Sequence, residues 1–164
     1  MKLTDEQIEK LRASGIKLDR EGRFWHEGSE VTHFGLRDAL WRWLDRDPDG
    51  RYVLRIDPER FVYIEVEEAP FVVRSLRWVT GEPSGGAAID DRAFVVLSDG
   101  TEEELDASTV RLGAGGAGFC LVKSGRMEAR LAMAAWSALG DHLRDEGGVI
   151  WLDAHGGPYR LAPR

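Results

Sequence analysis

RYVLRIDPERFVYIEVEEAPFVVRSLRWV, residues 51–79, is the stretch on which the fold class turns. Arg51 to Ile56 and Phe61 to Val66 read as two strands around the turn Asp57-Pro58-Glu59-Arg60. A third strand runs from Phe71 to Val79 after Ala69-Pro70. In the middle run Val62, Ile64 and Val66 alternate with Phe61, Tyr63 and Glu65, the period of two that a pleated strand requires. Upstream, a short helix is expected over 4–14, capped by Thr4 with Gln7 reaching back, Leu3 stapled to Ile8 and Gly15 at its end. Ile16 to Leu18 and Arg23 to His26 then flank Asp19-Arg20-Glu21-Gly22 as a hairpin, and Glu27-Gly28 turns again. A second helix is expected over 33–46, with Leu36, Leu40, Trp43 and Leu44 on one face; it stops before Pro48, and Asp49-Gly50 turns the chain into the quoted stretch.

Downstream, Gly81 to Ala88 has linker composition and is the expected boundary between lobes. Beyond it Ala93 to Ser98 and Thr101 to Leu105 flank Asp99-Gly100, a strong two-residue hairpin signal. Val110 to Leu112 and Phe119 to Val122 read as strands on either side of a glycine-rich loop. A third helix is expected from about 129 to 146, with Ala132, Trp136, Leu139 and Leu143 on one face and Gly147 as its stop. Val149 to Leu152 and Tyr159 to Leu161 close the chain as strands. The expected architecture is α+β: a short N-terminal helix and first lobe over 1–80, a linker over 81–88, and a second lobe over 89–164.

The two lobes show one order of elements. Phe24-Trp25, a helix with a central tryptophan, Asp49-Gly50, a strand and Asp57 match Phe119-Cys120, a helix carrying Trp136, Gly147-Gly148, a strand and Asp153. Tyr63 and Tyr159 each lie six residues after those aspartates. A repeated strand–helix–strand–strand motif explains this, although any strand–helix–hairpin unit gives similar spacing. If the repeat is real, a groove between lobes is where a small ligand would go.

Composition narrows the function classes. The 164 residues carry a net charge of −7, which argues against a basic groove for nucleic acid. Lys and Arg number 14 against 16 Asp and Glu in residues 1–80, and 8 against 13 in the rest, so the acidity belongs mainly to the second half. Of 19 glycines, fourteen follow residue 80 and mark its connections. The lone Cys120 excludes an internal disulfide and fits a reducing compartment. The start, Met1-Lys2-Leu3-Thr4-Asp5-Glu6, has acids where a signal peptide needs an apolar run. Leu131 to Gly140 is far short of the roughly 20 apolar residues that span a bilayer. The expectation is a soluble cytoplasmic protein with neither nucleic-acid nor membrane partners.

Few residues combine into chemistry. His26, His33, His142 and His155 lack metal-ligand spacing, so no metal and no cofactor are expected. Cys120 sits on an apolar strand as a small hydrophobe. The run Gly113 to Gly118 lacks the Lys-Ser/Thr ending and the following helix of a phosphate loop, and reads as a connection between elements. Glu65 and Glu67 share a strand face with Phe61 and Tyr63. They are either paired carboxylates for acid–base work or a solvated outer face. Glu59-Arg60 is either an oriented ion pair or an ordinary charged turn. Glu128 and Arg130 are expected to begin the third helix, while Glu102-Glu103-Glu104 reads as a charged edge that discourages strand association. Trp43 and Trp136 are expected in the core, and Trp41 falls off the helix face, at the surface or at a contact with another lobe or subunit.

Arg23-Phe24-Trp25-His26-Glu27-Gly28, Asp49-Gly50-Arg51-Tyr52, Pro58-Glu59-Arg60 and the run Ile64 to Phe71 resemble the bacterial family numbered 1285 among the domains of unknown function, DUF1285. Glu128-Ala129-Arg130-Leu131 resembles the start of that family's last helix, and Gly147-Gly148-Val149-Ile150-Trp151 its closing strand. The resemblance spans roughly 16–164 and is most specific around 58–71. It implies a two-lobed α+β fold with repeated motifs, no established activity, and a role in signal transduction or ligand sensing. It carries over Glu59, Arg60, Glu65, Glu67, Pro70, Phe71 and Arg130 as ligand-site residues, with no catalytic residue among them. The chain departs from the family between Leu97 and Leu112, where a Thr- or Asn-bearing strand and a His-Pro pair are expected. The leading expectation is a non-enzymatic module binding a small ligand or partner protein between its lobes. A carboxylate hydrolase or lyase using Glu59, Glu65 or Glu67 with a histidine, and an interaction protein dimerising through aromatics such as Trp41, are the alternatives.

Overall fold

The computed structural model describes residues 4–81 and 90–164. The chain divides into two compact units, Met1–Pro70 and Phe71–Arg164, and both combine sheet with helix, as the α+β class requires.

In the first unit α1 (Asp5–Arg12) leads into β1 (Ala13–Leu18), β2 (Phe24–His26), β3 (Ser29–Glu30), α2 (Phe34–Trp43), β4 (Leu44–Arg46), β5 (Tyr52–Arg55) and β6 (Phe61–Val66). The strands form one sheet in the order β3-β2-β1-β6-β5-β4, with β1 and β6 parallel at its centre and the other neighbours antiparallel. Asp5 and Glu6 occupy the first turn of α1, where acids favour the helix dipole. The helix stops at Arg12, not Gly15, because the chain from Ala13 pairs with β6. The expected staple involves Leu3, which lies outside the described residues.

His33 caps α2, its Nδ1 accepting from the Leu36 N–H at 3.2 Å. The helix ends at Trp43 rather than 46. Leu44–Arg46 instead pairs with the open edge of β5, and Arg55 reaches across to Asp45 at 3.2 Å and to Asp47. Three residues of ladder and that ion pair outweigh another turn of helix, a tertiary override of local propensity. Of the expected apolar face, Leu40 and Leu44 are buried beside Ala39, Trp43 is half-buried and Leu36 is exposed. Trp41 packs edge-on against the buried Phe24, with ring centroids 4.7 Å apart.

The second unit runs through β7 (Phe71–Val79), β8 (Arg92–Leu97), β9 (Glu102–Glu104), β10 (Arg111–Leu112), β11 (Gly118–Val122), β12 (Met127–Leu131), α3 (Met133–Gly140), β13 (Leu143–Glu146), β14 (Val149–Leu152), β15 (Tyr159–Arg160) and β16 (Ala162–Pro163). One sheet has the order β16-β10-β11-β12-β7-β8-β9, and a second the order β13-β14-β15. The acidic run 102–104 is the outermost strand β9. Since β7 pairs with β8 and β12, the units part after Pro70, not near residue 80. The expected linker therefore joins two paired strands: Val79 lies opposite Arg92, and the Gly81 N–H donates to the Asp90 carbonyl at 3.1 Å. Residues 82–89 themselves lie outside the described residues.

The third helix is much shorter than expected. Met127, Ala129 and Leu131 are buried while Glu128 and Arg130 are half-exposed, the alternation of a strand wedged between β11 and β7. Glu128 and Arg130 thus lie on β12 and do not begin a helix. Leu143 falls on β13, and Gly147-Gly148 forms the β13–β14 turn with φ of 63° and 86° rather than a helix stop. Trp136, expected in the core, is half-buried and covers Gly118. In each unit a helix precedes a three-stranded antiparallel meander, α2 before β4-β5-β6 and α3 before β13-β14-β15. Among the described residues, no helix is long and apolar enough to cross a membrane.

Candidate functional site

Residues paired across neighbouring strands point to the same face of a sheet. Glu30 on β3 is opposite Trp25 on β2, Trp25 opposite Lys17 on β1, and Lys17 opposite Glu65 on β6, so four strands present one row. Strands lie about 4.8 Å apart, which sets the backbone of Glu65 about 10 Å from that of Trp25. The Trp25, Lys17 and Glu65 part of this row floors an open concavity of about 680 Å³ that also takes in Asp19, Arg20, Arg23 and Glu67. A second concavity of about 480 Å³, lined by Ser14, Arg51 and Tyr63, adjoins it through the shared Gly15 and Glu65.

The floor strand β6 is divided along its length. Phe61 and Tyr63 meet edge-on at 5.7 Å, and arginines cover them: Arg12 lies 3.6 Å over Phe61 and Arg51 3.5 Å over Tyr63. Arg51 is fixed in turn by Glu9 of α1 at 2.6 Å. The Glu65 and Glu67 end of the stripe is left open beside Lys17 and Trp25.

Asp19 holds the wall. It is only 6% exposed, and its carboxylate accepts four hydrogen bonds: from the backbone of Glu21 at 3.0 Å and Arg23 at 2.8 Å, from Arg23 Nε at 2.8 Å and from the Trp25 indole at 2.8 Å. Burial alone would raise its pKa. The Arg23 backbone, the Trp25 indole and the Arg23 guanidinium reverse this and hold the carboxyl below its ordinary value. Glu67 accepts from the Arg20 backbone and from Arg20 Nη2, both at 3.1 Å, and these bonds hold its carboxyl low as well. Both acids are ionised at neutral pH and committed to their partners. Among the described residues, the side chains of Lys17, Glu27 and Glu65 make no hydrogen bond or ion pair.

The expected site residues do not form one cluster. Glu65 and Glu67 share the concavity. Glu59 and Arg60 are exposed on the β5–β6 turn, where Arg60 pairs with Asp57 rather than Glu59 and the Asp57 carboxylate caps both backbone N–H groups. Pro70 is buried at the end of the first unit. Phe71 is buried at the start of β7 with Lys123 Nζ 5.2 Å from its ring centre, and Arg130 lies on β12 opposite Phe119. Lys17, Asp19, Arg20, Arg23 and Trp25 escaped the sequence reading, because 19–22 reads there only as a turn. The signal was the alternation Arg23, Trp25 against the buried Phe24, which sends Arg23 and Trp25 to one face.

The histidines stand elsewhere. His33 is spent as a helix cap, and alternation sends His26 to the face opposite Trp25. In the second unit His142 bonds Asp91 at 2.9 Å and stacks on Trp78, with ring centres 3.5 Å apart. His155 contacts Asp90 through Nδ1 and meets Arg92 Nη2 through Nε2 at 3.0 Å, beside a cleft of about 330 Å³. A guanidinium only donates, so Nε2 accepts and Nδ1 carries the proton toward Asp90. Cys120 is buried, and burial pushes its thiol up to about 12. Among the described residues, no three His, Cys, Asp or Glu side chains are grouped to hold a metal ion.

Neither a family model nor a curated protein matches the chain. Among solved structures it is similar to a DUF1285 family protein from Silicibacter pomeroyi DSS-3, with a TM-score of 0.74 and 21% identity over 91% of this chain and 80% of that one. It is also similar to a DUF1285 family protein from Shewanella baltica OS155, with a TM-score of 0.57 and 17% identity over 77% of this chain and 90% of that one. These likenesses bear out the DUF1285 resemblance read from the sequence, and at such identities what they establish is the shared fold.

Proposed function

We propose that this chain, which shares its fold with DUF1285 family proteins, is a non-enzymatic sensing or regulatory module that binds a small ligand. The ligand seats on the Trp25–Lys17–Glu65 row of the first unit. The observation that supports this is the state of the wall. Asp19 fixes the Trp25 ring and Arg23, and Arg20 fixes Glu67, so the concavity is preorganised before anything enters it. A general acid at neutral pH needs a raised carboxyl, and Glu67 is shifted the other way. A permanently charged, pre-set surface suits binding. The two helix-and-meander segments are read in the same proposal as copies of one motif, and a bacterial cytoplasm with a signalling role as its setting.

The test is a thermal-shift screen of a metabolite library against the full chain and Trp25→Ala. A compound that raises Tm of the full chain and not of the variant supports the reading. Hits that shift both proteins equally, or a screen without hits, reject it.

A further inference from the structure

The occupant of this concavity is constrained by the charges its wall leaves uncommitted. Asp19 is matched by Arg23, and Glu67 by Arg20. Lys17 and Glu65 are opposite in sign and adjacent in register on parallel strands; among the described residues neither makes an ion pair, nor does Glu27 in the lining, although the Lys17 charge also helps to hold Glu67 low. Trp25, on the other side of Lys17, offers an indole ring that its bond to Asp19 holds in place. The order across the floor is aromatic ring, cation, anion.

We propose that the ligand is an amino-acid-like zwitterion with an apolar body. Its carboxylate meets Lys17, its ammonium meets Glu65, and its body lies on Trp25. This rests on the ligand-binding reading above and narrows it. A ligand carrying only a negative charge would face Glu65 with Glu27 and Glu67 nearby. A ligand carrying only a positive charge would face Lys17 with Arg20 and Arg23 nearby. Only a molecule bearing both charges a few ångströms apart satisfies Lys17 and Glu65 together, and like-charge contact rejects the rest. The ring supplies apolar area for the ligand's body, beside the Arg23 guanidinium 5.5 Å from its centre.

The experiment titrates the full chain by calorimetry at pH 7 and low salt with the standard amino acids. Each is run beside the amine lacking its carboxylate and the acid lacking its ammonium. At least one amino acid binds, and both of its truncated analogues bind at least tenfold more weakly. Lys17→Met then abolishes the preference over the amine, and Glu65→Gln the preference over the acid. Both positions are exposed and unpaired, so unchanged Tm values certify the variants as folded. An amine or acid that binds as tightly as its parent overturns the zwitterion inference while leaving a ligand site in place. Discrimination that survives in both variants overturns it too. If no amino acid binds, the zwitterion is rejected, and the Trp25→Ala screen alone then decides whether the concavity binds anything.

Discussion

A carboxylate can be buried at neutral pH only where donors replace its water, and Asp19 has four of them within 3.0 Å. One side chain thereby closes the β1–β2 turn, anchors a guanidinium and aims an indole. Asp19→Asn keeps the shape and removes the charge. The new amide group must face Arg23 and Trp25 as a donor among donors, or swap ends and face the backbone N–H groups. The expected outcome is a loss of about 1–3 kcal/mol in urea unfolding, the range for stranding a buried hydrogen-bonding group. A variant as stable as the parent would show that the wall of the concavity does not depend on this residue.

At the scale of elements, the glycine run 113–118 has a packing explanation. A Cβ on Gly118 would lie 2.5 Å from the Trp136 ring, and one on Gly113 would lie 2.4 Å from Phe119, while Gly115 and Gly116 take φ of 69° and 78°. Two of these positions need the absence of a side chain and two need the left-handed backbone. Gly118→Ala is therefore expected to lower stability by about 1–3 kcal/mol through overpacking. Gly140→Ala, with open space around it at the end of α3, is expected to raise stability by about 0.4–1 kcal/mol. Equal Tm values for the two variants would refute this account. The hairpins were legible for a related reason: Asp99-Gly100 and Asp57-Pro58 impose their turns locally. The ends of α2 and α3 were not, because Leu44–Arg46, Met127–Leu131 and Leu143–Glu146 become strands only when a neighbour offers an open edge. Glu65 and Glu67 could be placed on one face by counting. Their company of Lys17, Arg20 and Trp25 required the β1–β6 register, which joins residues about fifty positions apart.

Over the whole molecule, each unit contains among its described residues a largely buried carboxylate held in its charged form. Asp99 is the counterpart of Asp19. Burial would raise its pKa, and the Lys123 ammonium at 2.7 Å with the Thr101 hydroxyl and backbone bring it below its ordinary value. A carboxyl with a lowered folded pKa adds stability that is complete above its unfolded value, about 3.9, and is lost as pH falls through the folded value. Tm should thus be flat between about pH 6 and pH 5 and decline below about pH 4. Asp19→Asn and Asp99→Asn should each flatten that decline, and together more than either alone. A decline as steep in the double variant as in the parent would assign acid sensitivity to other groups.

The parallel pairing of β1 with β6 carries a consequence for synthesis. The two strands at the centre of the first sheet are the first and last of that sheet to leave the ribosome, and every strand between them in sequence lies to their flanks. In the second unit β12 likewise pairs in parallel with β7, the first strand of its sheet, and joins residues 58 positions apart (129 − 71). Hairpins can form as the chain emerges, but the seam that unites them waits for its final strand. Distant pairings of this kind slow folding, so a nascent first unit exposes two unmated strand edges until β6 arrives, the interval in which a chaperone would have most to hold.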